Sequence, residues 1–137
     1  MQNQNFSWPI RVYYEDTDAG GVVYHASYLK FFERARTEQL RGYGFELDAL
    51  RQHDGIIFAV RSIKVDYIKP ALFNELLEAT VVIDSLRPAS LLFEQQLLRP
   101  SGQVLCAASV RIACLGADDL KPRLIPDFIV QRIKDDA

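Results

Sequence analysis

Ala26-Ser27-Tyr28-Leu29-Lys30-Phe31-Phe32-Glu33-Arg34-Ala35-Arg36-Thr37-Glu38-Gln39-Leu40-Arg41 carries the helical pattern on which the fold reading turns. Leu29, Phe32 and Ala35 form an apolar row, flanked by Tyr28, Phe31 and Leu40. Lys30, Glu33, Arg34, Thr37, Glu38 and Arg41 fill much of the remaining surface, and Gly42 and Gly44 supply a C-terminal stop. Downstream, about Glu46 to His53 reads as a short second helix. Alternation then takes over. Ile57, Ala59, Ile63, Val65 and Tyr67 share one parity, with Arg61 interrupting the apolar face. A bulge near Arg61-Ser62, or a functional inward Arg, would explain the break. Leu77, Ala79, Val81 and Ile83 define the next strand, and Leu91, Phe93 and Leu97 a third. Val104, Cys106, Ala108, Val110, Ile112 and Cys114 give the cleanest alternation in the chain.

Upstream of the helix, Trp8 to Tyr14 reads as a first strand with Trp8, Ile10, Val12 and Tyr14 on one face. A last helix is expected from Pro126 to about Lys134. The order is strand, long helix, short helix, then four strands expected in meander order. Strands in succession without intervening helices argue against a doubly wound parallel sheet. They argue for α+β, with an antiparallel sheet curled around the helix and residues 1–137 forming a single domain.

Composition narrows the function. The formal net charge is -2, which argues against nucleic acid as a partner, since phosphate binding needs a basic excess. The two cysteines, Cys106 and Cys114, share parity and are expected to be buried, inert thiols. Met1-Gln2-Asn3-Gln4-Asn5 lacks the basic and apolar segments of a signal peptide. No apolar run approaches the ~20 residues that cross a bilayer. A soluble, cytoplasmic protein is the expectation.

The chemistry concentrates in Tyr14-Glu15-Asp16-Thr17-Asp18-Ala19-Gly20-Gly21-Val22-Val23-Tyr24-His25-Ala26-Ser27-Tyr28, just before the helix. A helix N-terminus presents unpaired N–H groups and about half a positive charge. Such a place suits an oxyanion or a polarised carbonyl. The glycines let the chain turn tightly and admit a ligand close to the backbone. An Asp here is ionised at pH 7, with an ordinary pKa of ~3.9, and is competent as a nucleophile. A thiolate leaves without much acid help, its thiol having a pKa of ~8.5, so thioester cleavage needs no Ser-His-Asp triad. The chain has no Gly-x-Ser-x-Gly elbow.

The run Tyr-x-Asp-Thr-Asp-x-x-Gly-x-Val-Tyr-His-x-x-Tyr before a Phe-Phe-Glu helix resembles the hotdog-fold thioesterases of the 4-hydroxybenzoyl-CoA thioesterase superfamily. Within it the likeness is to the Tol-Pal-associated acyl-CoA thioesterases of YbgC type. Trp8-Pro9-Ile10-Arg11-Val12-Tyr13-Tyr14, Glu33-Arg34-Ala35-Arg36-Thr37-Glu38 and Lys121-Pro122-Arg123 extend it along nearly the whole chain. The resemblance implies a sheet of five or six antiparallel strands around the helix. It implies hydrolysis of acyl-CoA, with CoA as part of the substrate and no separate cofactor. It also implies edge-to-edge dimers, often assembled into tetramers, with active sites at subunit interfaces. An acyl carrier protein is a further candidate partner, and a peripheral place at the inner membrane is compatible with the family name.

Carried over by position, the catalytic carboxylate is Asp18 and the carbonyl-polarising N–H is that of His25. Tyr14 and the His25 side chain match positions that line the site and are catalytic candidates beside Asp18, while Tyr24 is a substrate-binding candidate. For the CoA nucleotide the basic candidates are Arg61, Lys64 and Arg87, with Ser62 and Ser90 beside them. Blander readings stand next to these. Asp-x-x-Gly is ordinary turn chemistry, Asp16 suits a structural carboxylate, and Tyr14 could pack in the core with its hydroxyl tied to the loop. Glu33 and Glu38 could mimic the helix-borne Glu of another hotdog branch, though exposed ion pairs fit their Arg-rich surroundings better. Asp16, Asp18 and His25 match no metal-ligand spacing, so no metal is expected. Anhydride formation and direct water attack both stay open. So do a non-catalytic acyl-CoA or carrier-protein binding module and, more remotely, a hydroxyacyl dehydratase.

Overall fold

The computed structural model describes residues 6–136; Met1 to Asn5, read above for a leader signature, lie outside the described residues. Its elements are β1 (Phe6–Arg11), a 3₁₀ turn (Tyr14–Asp16), α1 (Ser27–Gly42) and α2 (Leu47–Ala49), the last running into a wider π-type turn (Leu50–Asp54). Then come β2 (Ile56–Tyr67), β3 (Leu76–Arg87), β4 (Ser90–Leu98), β5 (Val104–Gly116) and α3 (Asp127–Asp136). The strands form one five-stranded antiparallel sheet in the order β1-β3-β4-β5-β2.

The helix lies against the concave face. Phe31, Phe32 and Ala35 of α1 are fully buried in one cluster with Leu77, Val81, Ile83, Phe93 and Val110 of the sheet. Each large side chain sequestered in this way stabilises the fold by roughly 1.5–3 kcal/mol. The buried stripe is centred on Tyr28, Phe31, Phe32, Ala35 and Gln39, while Leu29 is only half-buried. It also takes in Arg36, 7% exposed, which the apolar pattern did not anticipate. The Arg36 Nη1–H donates to Gln95 Oε1 (3.0 Å), and the Gln95 Nε2–H donates to the Phe32 carbonyl (3.1 Å). Gln95 is itself 2% exposed. Burial pulls the Arg36 guanidinium below its ordinary pKa.

Two expectations need correction. The strands do not form a four-strand meander, because β2 lies beside β5 at the sheet edge and only β3-β4-β5 meander. A tight turn of 2–5 residues would have been needed to keep β2 beside β3. Residues 68–75 instead form a strap long enough, at ~3.3 Å per extended residue, to cross the ~15 Å of intervening strands. The first strand also ends early, at Arg11. Val12 is still buried and still donates its N–H to the Glu75 carbonyl (2.9 Å). The next N–H, that of Tyr13, is captured by Asp16 Oδ2 (2.8 Å), which turns the chain away from the sheet. Tyr14 therefore leaves the core and is 80% exposed.

Other expectations agree with the structure. The register shift on β2 falls between Val60 and Ser62, which puts Arg61 at a bulge. The extra residue also reverses the parity, a correction to the expected face: Ile56 and Phe58, not Ile57 and Ala59, share the inward face with Ile63 and Val65. Cys106 and Cys114 are buried and unpaired, and burial pushes the Cys106 thiol up to about 12. The two sheet edges differ. β1 is six residues long and contains Pro9, which blunts an edge against pairing. β2 is twelve residues long without a proline, and residues 61–64 are exposed. Among the described residues no helix is long and apolar enough to cross a membrane.

Candidate active site

Asp16 and Asp18 stand two residues apart and do different work. Asp16 is 7% exposed. Its side chain takes the Tyr13 N–H, and its carbonyl accepts the Tyr24 N–H (2.8 Å). It clamps both ends of the loop, which is the structural role expected of it. Between those ends Thr17 bridges Val23, and the Asp18 N–H donates to the Val22 carbonyl (2.9 Å), closing a tight hairpin. Gly21 sits at its tip with φ 81°, a conformation that other residues rarely adopt. The Gly20 N–H donates to Asp18 Oδ1 (2.7 Å), so one carboxylate oxygen is held by its own turn. Oδ2 has no hydrogen-bond partner among the described residues, and Asp18 is exposed at the wall of a cleft.

That cleft encloses about 330 Å³ and is lined by Asp18, Val22, Val23, His25, Tyr28, Tyr67, Ile68, Lys69 and Pro70. Its second wall is the strap, stitched to the loop where the Val23 N–H donates to the Ala71 carbonyl (2.9 Å) and Val22 bridges Leu72. Arg99, at the end of the sheet, anchors the strap. It grips Glu75 through Nε (2.7 Å) and Nη2 (3.0 Å) and donates to the Pro70 carbonyl (3.1 Å). The Arg99 guanidinium in turn holds the Glu75 carboxyl below its usual pKa.

The helix enters the cleft without a side-chain cap, because Ala26 occupies the cap position. The Ser27 N–H donates to the Tyr24 carbonyl (2.9 Å) and the Leu29 N–H to the Ala26 carbonyl (3.2 Å). The His25 and Ala26 N–H groups find no partner among the described residues. Asp18 and His25 thus line one opening at the helix N-terminus, where unpartnered amides and the helix dipole suit acyl transfer.

The structure gathers some of the expected residues and separates others. Asp18 and His25 line the cleft together. Tyr24 lies alongside, its ring 4.4 Å from that of His25, without lining the cavity. Tyr14 lies outside it, edge-on to Phe73 at 5.9 Å. Arg61, Ser62 and Lys64 are exposed on the free edge of β2, away from the Asp18 cleft of the same chain. Arg87 and Ser90 flank the β3–β4 turn at the opposite end of the sheet. Ser90 pairs with Ala113, which pairs with Ala59, whereas Tyr67 of the cleft pairs with Cys106. Glu38 ion-pairs with Arg41 (2.6 Å), as expected of an exposed helix pair. Glu33 lines a separate groove of about 290 Å³, together with Arg36, Leu40, Phe58 and Phe93. Among the described residues no group of three or more His, Cys, Asp or Glu could hold a metal.

Tyr67, Lys69 and Pro70 were missing from the expected site. Tyr67 was read as a strand residue by parity alone, and the only sequence cue was Lys69-Pro70 closing that strand.

A sheet wrapped around one helix, with a carboxylate at the entrance to that helix, defines a hotdog-fold protein of the thioesterase kind. The chain belongs to the Thioesterase-like superfamily, which it matches over residues 12–133. It is 46% identical over 134 residues to the acyl-CoA thioester hydrolase YbgC of Escherichia coli O6:H1, covering 98% of this chain and 99% of that protein. The acyl-CoA thioesterase YbgC of Haemophilus influenzae is 44% identical, with 92% of each chain covered. The crystal structure of a probable thioesterase from Bartonella henselae is 38% identical, with a TM-score of 0.85 over 89% of this chain and 99% of that one.

Proposed function

We propose that this chain hydrolyses acyl-CoA thioesters to CoA and a free carboxylic acid, with Asp18 as the catalytic carboxylate. The observation that carries the reading is that Asp18, with Oδ2 free, and His25, whose N–H and that of the next residue Ala26 find no partner among the described residues, line one cleft. The thioester carbonyl accepts from the amides at the helix end, led by His25, and negative charge building on its oxygen is stabilised there. Asp18 then acts in one of two ways. As a nucleophile it forms an acyl anhydride and expels the thiolate, and water cleaves the anhydride. As a general base it takes a proton from water, which attacks the carbonyl directly. In both routes the CoA thiolate leaves and is protonated by solvent. No cofactor beyond the CoA of the substrate enters the reaction.

The Gly20 N–H bond to Oδ1 supports this reading, because it fixes the carboxylate rotamer while leaving Oδ2 for chemistry. The long open edge of β2 supports a dimer. Antiparallel pairing of two β2 strands near their Arg61 bulges sets the Tyr67 end of one subunit beside the Phe58 end of the other. Each Asp18 cleft then meets the partner's groove beside α1, and the partner's Arg87 and Ser90 come within reach of the CoA nucleotide. Arg61, Ser62 and Lys64 flank that seam, and Tyr14, Tyr24 and the His25 ring line its rim. Dimers of dimers, a carrier-protein partner, and a cytoplasmic location at the periphery of the inner membrane complete the proposal for this one domain.

The test is release of free thiol from a panel of acyl-CoAs by the wild-type chain and by Asp18→Asn. Thiol release by the first and not the second is expected. Tight acyl-CoA binding by the wild type with no release would instead favour a binding module. Single-turnover hydrolysis in heavy-oxygen water separates the two routes, since label entering Asp18 reports the anhydride.

A further inference from the structure

The peptide at the entrance to α1 is held in an unusual way. In a regular α-helix the His25 carbonyl would accept from the Leu29 N–H. Here that N–H goes to the Ala26 carbonyl and the Ser27 N–H to Tyr24, so the His25 carbonyl stands outside the helical ladder. Its partner among the described residues is the Tyr67 hydroxyl, which donates to it across 2.7 Å from the last position of β2. No side-chain cap shares the task, because Ala26 has none to offer.

Tyr67 is well placed to hold that peptide still. Its backbone is paired with Cys106 in the sheet, and its ring packs edge-on to Tyr28 at 5.3 Å. Tyr28 is buried, and its hydroxyl takes the Ala71 N–H (3.0 Å) from the strap. Tyr67 is 50% exposed, yet its hydroxyl is tied to the His25 carbonyl. Partial burial raises the phenol above its ordinary pKa, so it is a donor throughout the neutral range. The His25–Ala26 peptide is planar, so fixing its carbonyl also fixes the Ala26 N–H on the same unit. Drawing charge onto the carbonyl oxygen strengthens that N–H as a donor.

We propose that Tyr67 is a positioning residue for thioester cleavage, its hydroxyl locking the His25–Ala26 peptide so that the helix-end amides meet the substrate carbonyl. This rests on the thioesterase reading above. Without the hydroxyl, that peptide can rock away from the carbonyl, a loss felt where charge develops rather than where substrate docks.

Tyr67→Phe keeps the ring on Tyr28 and removes only the donor. It is expected to lower kcat about tenfold while KM stays within about twofold, as loss of a transition-state interaction should. A spectroscopic readout accompanies the kinetics. With Asp18→Asn holding an acyl-CoA uncleaved, the bound thioester carbonyl should stretch at lower frequency than in water, and Tyr67→Phe should move it back. A kcat within about twofold of the parent, a loss confined to KM, or a fall in kcat with the carbonyl frequency unmoved would each overturn the proposal. The two layers fail separately. Undiminished turnover in Asp18→Asn alone strikes the thioesterase mechanism and takes the role of Tyr67 with it, whereas the outcomes above strike Tyr67 only.

Discussion

The first and middle turns of α1 both carry polar groups, and the fold treats them in opposite ways. At the first turn the His25 and Ala26 amides and one Asp18 oxygen have no partners among the described residues. At the middle, Arg36 is largely buried along the groove beside α1 and bonded to Gln95, which in turn satisfies the Phe32 carbonyl. The difference follows from burial. A buried unpaired donor or acceptor costs about 1–3 kcal/mol, so Arg36 and Gln95 satisfy one another, although the buried Gln39 amide one turn on has no partner among the described residues. An exposed helix end is solvated when empty, so its amides stay available to a ligand. One helix therefore has a structural polar patch and a chemical one, distinguished by solvent access and not by residue type.

Substitutions at each site can break that contrast. The largest expected effect is at the open end: Asp18→Asn should lower turnover by ~10² to 10⁴-fold, about 3 to 5 kcal/mol of barrier, with little change in thermal midpoint. A steady-state thiol-release assay beside a melting curve checks both halves. Gln95→Leu should do the reverse. It leaves the Arg36 guanidinium buried without its partner and should cost about 2–3 kcal/mol in urea unfolding, with activity per folded molecule retained. If it instead removed activity at unchanged stability, the division between the two turns would fail.

Two smaller changes sharpen the picture around the cleft. Gly21→Ala forces a side chain into φ 81° and should cost about 1 kcal/mol of stability, with a larger proportional loss in kcat if the hairpin aims Asp18. Glu75 should reveal itself through acid. Its folded-state pKa lies below the ordinary value because of Arg99, so its contribution is present above the unfolded carboxylate pKa and is lost as pH falls through the depressed one. Arg99→Gln should flatten that acid limb and cost no more than about 1 kcal/mol at neutral pH, since the pair is partly solvated. Unfolding curves taken between neutral and acid pH would show it.

How much of this could be read before any coordinates differs residue by residue. Asp18 and His25 lie within one short contiguous motif, so their shared cleft was legible. So was the bulge at Arg61, because a charged residue interrupted a run of one parity. Tyr14 misled because its parity continued the first strand, while the Asp16 side chain, two residues on, drew off the Tyr13 N–H and ended it. Lys69 and Tyr67 looked like an ordinary strand end.

By itself the sequence determined the kinds of element, their order, the inward faces of β3, β4 and β5 and the loop chemistry, but not the inward face of β2 ahead of its bulge. These depend on backbone preferences and side-chain periods that act over a few residues. Only the tertiary structure decided that β5 returns beside β2, that Tyr67 reaches His25 across 42 positions and that Arg36 finds Gln95 across 59. Such meetings depend on the path of the strap between strands. A flexible connection can close many ways at nearly equal entropy, so the choice falls to packing of the assembled core.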